Sequence, residues 1–147
     1  MLDFQNKELI KVMWLPGERE ILFKIITETS IPIDNEVYKF LANFIDLDKW
    51  AYDYAMKYDA WLKHDDSTIY IINSFINSEM IEALKSANKT LLHAIFFFWF
   101  DVDRTFLEGF NWEFCPISNQ KLIELKLGSP RINSLVSPVH PLIFPNF

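Results

Sequence analysis

The amino-acid sequence predicts an all-α fold, a single compact unit of five to seven helices with an irregular, proline-containing C-terminal segment. Three observations lead there. Between Ile33 and Glu108 there is neither proline nor glycine, the two strongest breakers of regular structure. Five of the seven prolines and two of the three glycines fall after residue 108 instead. A heptad-like apolar stripe occupies residues 34–63, and a second long apolar segment follows it. The 147 residues match one domain, taken as 1–147. Half of them are apolar and 16% aromatic, enough to bury a core without a metal or disulfide staple.

The first thirty residues fit two patterns. Leu9, Ile10, Met13 and Trp14, then Ile21, Leu22, Ile25 and Ile26, suit two short helices, with Glu18-Arg19-Glu20 as a good first turn. The same residues suit a hairpin turning at Pro16-Gly17, with strands around IKVMWL and EILFKII. Helices are the preferred reading, and an α+β fold with an N-terminal hairpin is the alternative. Residues 34–63 carry the strongest helical signal. Asp34 or Asn35 supplies an N-cap, and Val37, Phe40, Phe44, Leu47, Ala51, Tyr54, Tyr58 and Trp61 step by alternating threes and fours. Asp46-Leu47-Asp48 divides this stretch if it is two helices. Ile69, Ile72 and Phe75 or Ile76 continue at helical spacing, although STIYII is β-branched enough for a strand. Asn77 or Ser78 caps a third helix expected over residues 78–108, with LLHAIFFFWF at the centre of the core. Leu122 to Leu127 alternates like a strand but ends at Gly128 and Pro130 like a helix. The tail SLVSPVHPLIFPNF, with prolines at 138, 141 and 145, suggests an extended path without self-pairing along a hydrophobic groove.

Charge and chemistry narrow the function. The net charge of −6 disfavours direct nucleic-acid binding, which depends on Lys and Arg neutralising phosphates, and no cluster of three basic residues occurs. The longest apolar run, Leu91 to Phe100, is half the length a membrane-spanning helix needs, and the N-terminus lacks the pattern of a secretory signal. Cys115 is the sole cysteine, so no internal disulfide exists. A cytoplasmic setting, with no membrane partner, is the expectation. No phosphate-cradling glycine loop, nucleophile elbow or zinc spacing is present, so neither cofactor nor metal is expected. Cys115, between Trp112, Phe114 and Ile117, reads as a packed core thiol. His93 reads as a lone imidazole inside an apolar helix.

The outer face of the 34–63 segment resists a purely structural reading. Opposite its seam stand Tyr38, Asp46, Tyr52, Asp53 and Asp59, and residues 34–66 hold eight acids against four lysines. Tyrosine offers rigid docking area, and carboxylates beside it attract a basic surface. These five residues are therefore the candidate partner-binding set. The expected function is that of a small acidic intracellular inhibitor, occluding a basic surface on a toxin, nuclease or other enzyme. Immunity proteins and phage-encoded inhibitors work in this manner, and the comparison rests on charge alone. Two alternatives stand beside it. One is a metal-dependent hydrolase using His64, Asp65, Asp101 and Asp103; the other is a helical homo-oligomer, a homodimer for instance, sharing the heptad seam.

Overall fold

The computed structural model describes residues 7–64, 66–90, 93–100, 113–126 and 133–145. It overturns the all-α expectation. The described residues form a seven-stranded mixed sheet with three α-helices, an α+β architecture. In chain order the elements are β1 (Glu8–Val12), β2 (Leu22–Lys24), β3 (Thr29–Ser30), α1 (Glu36–Leu41), α2 (Leu47–His64), a 3₁₀ turn (Thr68–Tyr70), α3 (Phe75–Thr90), β4 (Ala94–Trp99), β5 (Ile123–Lys126), β6 (Asn133–Val136) and β7 (Leu142–Pro145). Across the sheet the strands run β3-β2-β1-β4-β7-β6-β5.

The N-terminal hairpin of the alternative expectation is present: β1 pairs antiparallel with β2, Ile10 opposite Lys24 and Val12 opposite Leu22. Pro16 and Gly17 turn the chain, with the Glu18 N–H donating to the Leu15 carbonyl at 3.2 Å. Gly17 has φ +80°, the left-handed value a type II turn requires after proline. The preferred helical reading places Met13 and Trp14 in a helix. They leave β1 extended instead, Met13 donating to the Ile21 carbonyl.

The largest correction falls on residues 78–108. The third helix is α3 and ends at Thr90; AIFFFW is strand β4 at the centre of the sheet. A strand flanked by parallel neighbours is covered on both faces, so its side chains need not alternate in polarity. Phe96 and Phe98 enter the core beneath the helices with Ile10, Val12, Trp50, Met80 and Leu84. Ile95 and Phe97 join Leu9, Ile25, Leu125, Val136 and Ile143 on the opposite face. β1 runs parallel to β4 from Glu8–Ala94 to Val12–Phe98, and β7 runs parallel to it at Phe98–Leu142 and Trp99–Ile143. His93, expected inside a helix, is exposed just before β4, its carbonyl accepting the Glu8 N–H.

The C-terminal tail also departs from expectation. It pairs with the rest of the chain as β6 and β7, antiparallel to each other, and Leu142, Ile143 and Phe144 are fully buried. Pro141 and Pro145 bracket the strand, where a missing N–H is tolerated. Residues 34–63 form two helices. Asn35 caps α1, its Oδ1 accepting the Val37 N–H at 2.9 Å. Asp46 begins α2 by accepting the Lys49 N–H at 3.1 Å. Tyr54 of the seam packs against Trp14 of the same chain, and Trp50, beside the seam on α2, packs against Phe98.

Candidate functional site

Successive residues of a helix are rotated by about 100°, which places Asp48, Tyr52, Met56, Asp59 and Lys63 along the outward side of α2. Tyr52 is 66% exposed and Met56 55%, one turn apart on a helix whose other side is core. Just before α2, a depression of about 480 Å³ lies between Ile33, Lys39, Ala42, Asp46 and Asp48, with Tyr38 at its floor. Asp48 and Tyr52 are four residues apart, so the depression and the Tyr52–Met56 ridge are continuous.

The five sequence-derived candidates divide on this surface. Asp46 and Tyr52 are exposed within it. Asp53 and Asp59 face solvent already paired on the same helix, Asp53 with Lys49 at 2.9 Å and Asp59 with Lys63 at 3.2 Å. The Asp53 carboxylate raises the Lys49 pKa by hydrogen bond and charge. Tyr38 leaves the set. It is 8% exposed, and its hydroxyl accepts the N–H groups of Ile21 and Leu22, each at 3.1 Å. Burial raises its pKa, with those two bonds opposing the rise. Met56 and Asp48 were missed in the sequence, where a methionine carries no docking signal until its exposure is known.

A second cavity sits at the carboxyl ends of the adjacent parallel strands β1 and β4. Met13, Trp14, Leu15 and Pro16 follow β1, Phe98 and Trp99 end β4, and Tyr54, Tyr58, Ile69 and Tyr70 close the other side around about 200 Å³. Trp14 lies 5.4 Å from Tyr54 and 5.0 Å from Tyr58, ring centre to ring centre. Helical spacing alone assigned Tyr54 and Tyr58 to a generic seam; Trp14 and the β-strand ends make them one wall of a lined cleft.

Two titratable groups of the C-terminal half, Cys115 and His140, are perturbed by their surroundings. Cys115 is 1% exposed, as expected of a core thiol. Burial would raise its pKa, yet hydrogen bonds from Ser118, Ser137 and the Ser118 and Ile117 backbone prevail and lower it. His140 borders a cavity of about 270 Å³ with Asn73, Ser78 and Glu82. Burial first, and Lys85 second, lower its pKa, so the imidazole is neutral at pH 7.

Of the hydrolase set, Asp65, Asp101 and Asp103 lie outside the described residues, as does the His64 side chain. Among the described residues no three His, Cys, Asp or Glu side chains gather to hold a metal ion. No described helix is long and apolar enough to cross a membrane. Comparison with protein-family models, with curated proteins and with solved structures returned no match for this chain.

Proposed function

We propose that this chain is a small acidic protein-binding protein that docks through the outward face of α2 and covers a basic surface of a partner protein, as an inhibitor would. The observation that carries the reading is the exposed Tyr52–Met56 ridge running into the Asp46–Asp48 depression. A rigid aromatic beside a flexible thioether provides apolar contact area at small entropic cost. Asp46 and Asp48 add negative charge at one end of that ridge. Asp53 and Asp59 contribute less, because Lys49 and Lys63 offset them. The overall charge of −6 favours encounter with a cationic partner in the cytoplasm, the setting that suits a lone unpaired cysteine.

The test is differential capture from host extract, comparing the natural chain with a Tyr52→Ala, Asp46→Asn, Asp48→Asn variant. Asparagine at 46 keeps the oxygen that caps α2 while removing its charge. All three positions are exposed, so the thermal midpoint should hold within a few degrees. The reading expects a basic protein recovered by the natural chain and lost, or reduced about tenfold or more, with the variant. Equal recovery of the same protein by both chains would contradict it.

A further inference from the structure

We propose that the cleft at the carboxyl ends of β1 and β4 binds a small organic cation, a quaternary or methylated ammonium group, on the faces of Trp14, Tyr54 and Tyr58. The position is the one where open sheets with parallel strands leave a crevice for ligands, beyond the carboxyl ends of neighbouring strands. None of the described residues lining it is charged, and six of them are aromatic. Among the described residues an anion would find no counter-charge there, and a metal ion no carboxylate or imidazole. Aromatic faces do attract cations, through the negative potential over the ring.

Ring geometry separates a compact cation from a flat ring. Trp14 is inclined 41° to Tyr54 and 51° to Tyr58. Neither tyrosine plane is parallel to that of Trp14, as a flat base or cofactor stacked between two plates would require. A cleft of about 200 Å³ also falls below the range of roughly 300 Å³ upward at which drug-sized ligands are held, so one head group fills it. Trp99 already carries a cation: the Lys11 ammonium lies 4.2 Å from its ring centre. Lys11 shares strand parity with Leu9, so it stands on the sheet face away from the helices, with Trp99 beside the same cluster. The site therefore centres on Trp14, Tyr54 and Tyr58. It is independent of the docking ridge, because Tyr54 is rotated about 200° from Tyr52 around α2.

The experiment uses the full chain and two probes of nearly the same shape, choline and its uncharged isostere 3,3-dimethylbutan-1-ol. Binding is followed by the indole N–H resonance of Trp14 and by calorimetry at constant ionic strength. The proposal expects saturable choline binding that shifts the Trp14 signal, with the neutral isostere at least about tenfold weaker. Trp14→Ala should abolish choline binding, and Tyr58→Phe, which keeps the ring, should retain it within about threefold. Absent choline binding, or equal affinity for the two probes, overturns the proposal. The probe comparison needs only the natural chain, so it decides the matter even where a variant fails to fold.

Discussion

Single side chains decide how several strands and loops of this molecule are held. Tyr38 terminates two β-hairpin N–H groups with one phenol oxygen, a use of tyrosine that sequence position alone cannot distinguish from docking. Trp50 donates its indole N–H to the Ile76 carbonyl at 2.9 Å and is 1% exposed, tying α2 to α3. Asn77, inside α3 and fully buried, donates to the carbonyls of Ile69 and Ile71 and so holds the 3₁₀ turn. His140 makes stability depend on pH. Its pKa is lowered from 6.5 in the folded chain, chiefly by burial. The unfolded chain therefore takes up the proton first as pH falls through 6.5, and the contribution present above that value is lost below it. The urea midpoint of the natural chain should fall between about pH 7.5 and pH 5.5, and His140→Gln should flatten part of that fall. Identical pH slopes in the two chains would remove His140 as the cause.

Secondary-structure elements here are joined by polar side chains as much as by packing. β4 meets β7 only from Phe98 onward, and Phe98 and Phe100 donate toward that strand. The Phe96 N–H points to the same side before β7 begins. Asn88 of α3 fills the gap, its Oδ1 accepting the Phe96 N–H at 2.8 Å and its Nδ2 donating to the Phe96 carbonyl at 3.0 Å. Asn88→Ala would leave both backbone groups unpaired in a buried setting, at a cost of about 2–4 kcal/mol, readable as a drop in the urea midpoint. An unchanged midpoint would mean that water reaches this edge.

Local signals were legible wherever one helix or turn settled its own geometry. The Asn35 cap, the seam residues Tyr54, Tyr58 and Trp61 and the Pro16-Gly17 turn were all readable from neighbouring residues. Ala94–Trp99 was not, because an unbroken apolar run fits a buried helix and a doubly covered strand equally well. Its strand character comes from β1 and β7, more than forty residues away on either side, and no window of sequence contains them. Leu142–Pro145 failed for the same reason. Its prolines argue against a central strand, yet both stand at the ends, where the ladder needs no N–H. Of the candidate site, exposure of Tyr52 was legible from helical phase, whereas that of Asp46, between α1 and α2, depends on the break between the helices, and the burial of Tyr38 on where the hairpin lands.

On the scale of the whole molecule, three parallel strands, β1, β4 and β7, form the centre, and antiparallel pairs extend the sheet on both sides. α3 and α2 lie across one face, which leaves α2 with two sides of different character. One side closes the aromatic cleft over the ends of β1 and β4; the other presents Tyr52 and Met56 outward. Both proposed interactions thus depend on the same framework, with β4 as its axis. Nuclear Overhauser contacts and amide exchange across residues 94–99 test that framework most directly. A central β4 predicts contacts with β1 in the Leu9–Ile95 and Lys11–Phe97 register, a Phe98–Leu142 contact, and slow exchange of the Phe96, Phe98 and Phe100 amides. Sequential helical contacts three residues apart through 94–99, with no contact to residues 8–12, would contradict it.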